Sequence, residues 1–225
     1  MTKREQLDAL VKARKLRFKD YNRLADYPGF ECDFVSPYSK GAHEMDSDVM
    51  ILLQDWSSHV ALSQSAGPSE LGRDPNLPTN KNLDVLLKTF LGKEISETYA
   101  TNLFPYIKPG GLSSRIPFAD LTYAAEKFAL PQIRIIAPKL VICLGKNTFN
   151  ALRVVSGHPR CPDMASAIGP DAAFKVHVGG DRSAVVWAQA HPGVMGQNNR
   201  NRQHPGRVHE DWRRMSEEVG LLARH

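Results

Sequence analysis

Four short apolar runs, each stopping abruptly at polar residues, organise this chain. Val49-Met50-Ile51-Leu52-Leu53 ends at Gln54-Asp55-Trp56, and Thr98-Tyr99-Ala100-Thr101 ends at Asn102. Leu140-Val141-Ile142-Cys143-Leu144 ends at Gly145-Lys146-Asn147, and Ala184-Val185-Val186-Trp187-Ala188 at Gln189-Ala190-His191-Pro192-Gly193. Runs of this length without polar alternation predict strands buried on both faces, as in parallel sheets. Helical periodicity fills the intervals at Leu83–Leu91, Phe118–Ala129 and Asn147–Val155, with a further turn from Pro131 ending before Pro138 and a tail helix around Val208–Leu222. At the N-terminus, Leu7, Leu10, Val11, Phe18, Tyr21 and Leu24 predict one amphipathic helix over residues 3–25 with a basic outer face. Strands alternating with helices predict an α/β fold of three layers: a central, mostly parallel four-stranded sheet flanked by helices on both faces. Such sheets bind ligands beyond the carboxyl ends of their strands. Asp55, Asn102, Lys146 and His191 all stand there.

Composition narrows this picture without changing it. With 225 residues, 42% hydrophobic and 24% charged, the chain can bury a full core, and no flexible linker divides it, so one domain over residues 1–225 is expected. No apolar run approaches the roughly 18 residues of a membrane helix, and Met1-Thr2-Lys3-Arg4-Glu5 does not lead into a signal-peptide core. A cytoplasmic protein without membrane attachment is expected. Three widely spaced cysteines, Cys32, Cys143 and Cys161, predict reduced thiols rather than a disulfide framework or a zinc site. The net charge is +5, and the first 25 residues, with eight Lys/Arg against three acids, hold a surplus equal to all of it. Charge of this size is compatible with nucleic acid and does not demand it.

Several signatures are missing. Gly145-Lys146 is followed by Asn147, and Leu140 stands where a phosphate-binding P-loop requires its first glycine. No G-x-G-x-x-G follows a strand, and neither G-x-S-x-G nor H-E-x-x-H occurs. These absences set aside P-loop ATPases, Rossmann dehydrogenases, α/β-hydrolases and zincins.

What remains carries a resemblance. Met50-Ile51-Leu52-Leu53-Gln54-Asp55, then Tyr99-Ala100-Thr101-Asn102-Leu103-Phe104-Pro105, then Ile136-Ala137-Pro138-Lys139-Leu140-Val141-Ile142-Cys143-Leu144-Gly145, and finally Gln189-Ala190-His191-Pro192-Gly193 resemble, in order and spacing, the uracil-DNA glycosylase superfamily over about residues 48–200. The resemblance implies a monomeric enzyme that excises a deaminated base from DNA after flipping it, without metal or other cofactor. It implies that Asp55 and His191 are catalytic, the first orienting water or stabilising the sugar cation, the second hydrogen-bonding the oxygen where leaving-group charge accumulates. Asn102 matches the residue that reads the base edge, its amide offering a donor and an acceptor. Gln54 and Trp56 join it in the base-binding set, Trp56 as a candidate for the stacking phenylalanine, which has no clear counterpart.

DNA contacts are expected from Lys146 and Asn147, where a helix begins, and from Met195, Arg200 and Arg202, with Met195 able to fill the gap left by a flipped base. Departures from the family pattern bear on specificity. Trp56-Ser57-Ser58 replaces the Pro-Tyr after Gln-Asp in the best-known branch, and Gly193 replaces the serine after His-Pro. The competing expectations are a DNA-binding or damage-sensing member with weak catalysis, and a nucleoside-processing α/β enzyme.

Overall fold

The continuous apolar runs become the inner strands. In the computed structural model, which describes residues 1–221, β1 (Val49–Asp55), β2 (Tyr99–Phe104) and β3 (Leu140–Leu144) are buried along almost their whole lengths. A hairpin of β4 (Phe174–Gly179) and β5 (Arg182–Gln189) follows. The sheet order is β2-β1-β3-β5-β4. All pairings are parallel except that of β4 with β5. Register levels the carboxyl ends: Leu53 stands opposite Asn102, Asp55 opposite Phe104, and Leu144 opposite Gln189. From β1 the chain crosses to one side and later returns to the other, which opens a crevice where β1 and β3 end.

The sheet therefore has five strands, not the predicted four. β4 escapes the sequence pattern because it is an edge strand: Phe174, Val176 and Val178 face the core while Lys175, His177 and Gly179 face water. Its cue is alternation before Gly179-Gly180-Asp181, whose glycines adopt φ +113° and +55° in the turn.

Nine helices flank this sheet among the described residues: α1 (Lys3–Arg14), α2 (His59–Ser63), α3 (Pro78–Leu91), α4 (Phe118–Ala124), α5 (Leu130–Ile136), α6 (Lys146–Val155), α7 (Met164–Ala167), α8 (Val194–Asn201) and α9 (Arg207–Val219). α6 lies across β1, β3 and β5 with α4 at its side, while α3 and α9 pair in a second layer with α9 against β5. Residues Phe118 to Ile136 run on through a π-helical turn at Ala125–Ala129. That widening sits where Pro131 lacks an N–H and its ring would crowd a preceding carbonyl, so the chain continues where a break was predicted. The predicted tail helix is α9; Leu222, its predicted last residue, lies outside the described residues.

The N-terminal helix is shorter than predicted. α1 closes at Lys15, and Lys19 takes a left-handed φ of +49°. Packing draws the following aromatics onto α4: Phe18 stacks on Tyr123 with centroids 4.2 Å apart, and the Tyr21 hydroxyl donates to the buried Asp120 at 2.8 Å. The basic surplus is largely spent within the fold. Lys3, Arg4, Arg14, Lys15, Lys19 and Arg23 each lie in an ion pair. Lys3 also donates to the carbonyls of Met45 and Ile136, which precede β1 and β3, so α1 begins at the amino end of the sheet.

Trp212 anchors α9 and is wholly buried, yet its indole N–H has no hydrogen-bond partner among the described residues. Trp212→Ala should cost about 3–5 kcal/mol. Trp212→Phe should cost less than half of that, because it removes volume and an unpaired donor but no hydrogen bond. Urea midpoints at constant slope measure both; equal losses would show that the indole N–H does have a partner.

Candidate functional site

A cleft of about 880 Å³ opens at the carboxyl ends of β1, β2 and β3, within the range of small-ligand sites. Gln54, Asp55, Trp56, Asn102, Lys146, Asn147 and His191 all line it. Three other residues predicted for DNA contact do not. Met195 and Arg202 are exposed on and just after α8, and Arg200 is turned inward. The Arg200 guanidinium makes two hydrogen bonds, of 2.6 and 3.0 Å, to the wholly buried Asp211. Arg200 is thus a tether between α8 and α9, a role hidden from a sequence reading because its partner is eleven residues away.

Asp55 emerges from β1 only 12% exposed, and both of its oxygens are engaged. Gln54 Nε2 donates to Oδ1 at 2.9 Å, and Lys108 Nζ lies 2.7 Å from Oδ2. Lys108, itself 4% exposed, also donates to the Leu112 carbonyl at 2.6 Å. Sequence reasoning missed this residue. Its signal was a single lysine directly after the apolar stretch Leu103 to Ile107, which the chain buries completely.

Asn102 is buried in the ladder. Asn102 lines the cleft; its Oδ1 accepts a hydrogen bond from Ser36 Oγ at 2.5 Å, whereas its Nδ2, fully buried, has no partner among the described residues. A buried polar group left unpaired costs about 1–3 kcal/mol, so the fold carries this nitrogen at a cost. Ser36 is carried by the segment after Phe30, predicted only as loop. Its hydroxyl caps a 3₁₀ turn, Pro37–Gly41, by accepting from Tyr38 N at 3.2 Å.

The same segment supplies the aromatic wall that the sequence seemed to lack. Phe30 lies with its centroid 5.9 Å from that of Trp56, whose indole N–H donates to the Gly72 carbonyl at 2.7 Å. Tyr38 completes the wall, its hydroxyl donating to Asn80 Oδ1 at 2.7 Å. Gly72 has to be glycine. At φ +67°, a β-carbon there would lie 1.6 Å from the Pro37 carbonyl oxygen.

His191 follows β5 on a loop held by Asn82, whose Nδ2 donates to the Pro192 carbonyl at 2.8 Å. His191 is exposed at the cleft, with Gly193 and α8 packed on its protein side. Desolvation by the surrounding protein lowers its pKa below the usual histidine value, and the Asp55 charge opposes the shift. The neutral ring is therefore favoured at pH 7. Gly193 N donates to Nδ1 at 3.1 Å, so the remaining ring proton sits on Nε2.

The electrostatic balance of the cleft is positive. Arg73, Lys108, Arg115 and Lys146 line it against the carboxylates of Asp55 and Asp74. Lys146 Nζ is tied to the Pro162 carbonyl at 2.8 Å, while its backbone and that of Asn147 open the ten-residue α6 at the cleft.

Comparison with protein-family models and with the curated proteins finds no match for this chain. Among the described residues no helix is long and apolar enough to cross a membrane, and no group of three or more His, Cys, Asp or Glu side chains is placed to hold a metal ion.

The His191 environment gives a pH prediction with a definite sign. Its imidazole should titrate below the usual histidine value, and Asp55→Asn should lower it further, because that substitution removes the charge that favours the imidazolium. Titration of the ring carbon protons by NMR reads both shifts; a rise in the variant would place the controlling charge elsewhere.

Proposed function

We propose that this chain is a DNA glycosylase that flips a deaminated base, uracil foremost, into the cleft and hydrolyses its N-glycosidic bond. One juxtaposition carries the reading: Asn102, whose buried Nδ2 has no partner among the described residues, lines one cleft with the Asp55 carboxylate and the His191 imidazole. These are the three groups such a reaction needs. The aromatic wall of Phe30, Tyr38 and Trp56 receives the face of the base, and Asn102 meets its edge. As the C1′–N bond breaks, its electron pair leaves with the base, and His191 Nε2–H donates to the base oxygen on which the charge settles. Asp55 stabilises the positive sugar and orients the water whose oxygen bonds to C1′ and whose released proton neutralises the departed base anion.

Phosphates fit the rest of the positive cleft, at Arg73, Arg115 and the amino end of α6. Met195, 79% exposed on α8, is an apolar side chain available to occupy the vacated stack. The chain acts as a monomer on DNA in this reading.

One observation favours the second reading, a damage-binding protein with weak catalysis. Both Asp55 oxygens already have partners, so the carboxylate must share itself between Lys108, Gln54 and water. Rates separate the two.

On oligonucleotides bearing uracil, hypoxanthine, xanthine or a T·G mismatch, treated with alkali after incubation, the glycosylase cleaves at one of these bases. His191→Ala and Asp55→Asn should each lower the single-turnover rate on the best substrate by about 10²–10³ while DNA affinity changes little. Near-wild-type rates in both variants would sink the mechanism, and absence of cleavage across the panel would leave the binding reading. Affinity for a uracil-containing duplex should fall with salt at a log–log slope of about −0.9 per phosphate contacted. A flat salt response would instead favour a nucleoside enzyme.

A further inference from the structure

The Asn102 amide does not present both of its faces to the cleft. Ser36 Oγ already accepts from Tyr38 N at 3.2 Å, so its own proton is free to be donated, and the atom it meets at 2.5 Å is Asn102 Oδ1. With the amide turned over, two donors, Tyr38 N–H and Asn102 N–H, would converge on Ser36 Oγ while the hydroxyl proton lost its acceptor. Ser36 is 1% exposed and Asn102 wholly buried, so water is not at hand to repair that arrangement. This orientation leaves Nδ2 as a buried donor without a partner among the described residues, on a residue that lines the cleft.

We infer that Ser36 is a specificity-determining residue: by holding Asn102 Oδ1, it makes the site a reader of carbonyl oxygens and a rejecter of exocyclic amines on a ring edge. The inference rests on the glycosylase reading only in taking that ring to be a base in DNA. A carbonyl at the edge pairs with Nδ2. An amino group in the same place sets donor against donor, with neither able to turn. Deamination converts an exocyclic amine into a carbonyl, so one hydroxyl separates a deaminated base from the amine-bearing base it came from. Ser36 acts through Asn102 and is a positioning residue for it.

The test measures binding, so that it does not depend on cleavage. Duplexes carry a single 2′-fluoroarabino-uridine or 2′-fluoroarabino-cytidine, whose fluorine resists glycosidic cleavage, opposite an abasic analogue so that neither base has to be unpaired. Fluorescence anisotropy gives the ratio of the two dissociation constants for each variant. The wild type should prefer the uridine duplex by about tenfold or more, the cost of facing a buried donor with another donor. Ser36→Ala frees the amide to turn and should bring the ratio to about one. Asn102→Asp keeps an oxygen for Ser36 and puts an acceptor in place of Nδ2; it should bring the ratio below one, and it decides the matter should Ser36→Ala not fold. A general packing defect weakens both duplexes alike and leaves the ratio alone. No preference in the wild type, or the wild-type ratio persisting in the folded variants, overturns the inference. Cleavage of the unfluorinated uracil strand is assayed in parallel: a base preference without cleavage counts against the glycosylase reading alone.

Discussion

The Lys108 ammonium lies 2.7 Å from the Asp55 carboxylate, and almost no water reaches either group. A pair so withdrawn is a poor source of stability, because desolvating two charges costs several kcal/mol that their attraction only roughly repays. Its value lies in what it positions. Lys108 draws in the loop after β2 by donating to the Leu112 carbonyl, and its own carbonyl accepts from His59 N at the head of α2. Two neighbouring segments that line the cleft are thereby referenced to the end of β1. The sheet fixes where Asp55 is; the lysine fixes where the cleft walls stand relative to it.

The second constraint is geometric. In parallel ladders the strands enter and leave in step, and here the register sets Asn102 beside Leu53, two residues short of Asp55. Asn102 is therefore deeper than Asp55, inside the sheet edge rather than on the loop beyond it, which explains its complete burial. Depth makes its hydrogen bonding consequential. An exposed amide could turn to suit any ligand, with water filling the gaps. A buried one is held to the orientation its neighbours enforce.

The parts legible in the sequence were those that repeat or terminate a pattern. Apolar runs that stop at Asp55, Asn102, Lys146 and His191 gave away both the inner strands and the end of the sheet where polar groups collect. Features made by tertiary contact were not legible. Phe30, Ser36 and Tyr38 belong to a segment without periodicity, so nothing marked them as a cleft wall. Lys108 reads as an ordinary surface lysine until a buried carboxylate is found beside it. β4 hides behind Lys175 and His177, since an edge strand needs only one apolar face. The periodicity over residues 3–25 was real but misleading: Phe18 and Tyr21 are apolar at helical spacing because they pack on α4, not because they lie on a helix. Arg200 shows the converse error, a charge read as available that the fold has already used.

Gly193 is the departure from the resembled pattern that the packing best explains. A β-carbon at that position would stand 2.9 Å from Thr79 Oγ1 and 3.0 Å from His191 Nδ1, so a serine would press on the imidazole it was meant to accompany. Three residues on, a β-carbon at Gly196 would come within 2.2 Å of the His191 carbonyl oxygen. Both glycines let α8 close directly over the histidine backbone, and the Gly193 N–H that sets the ring tautomer is delivered by this close approach. At Gly196 a larger residue would have to lift α8 away from the His191 carbonyl, whereas at Gly193 it would press only on the Thr79 and His191 side chains. The glycine at 193 thus fits the close packing of Thr79 against the His191 ring, and a serine there would need both side chains to shift.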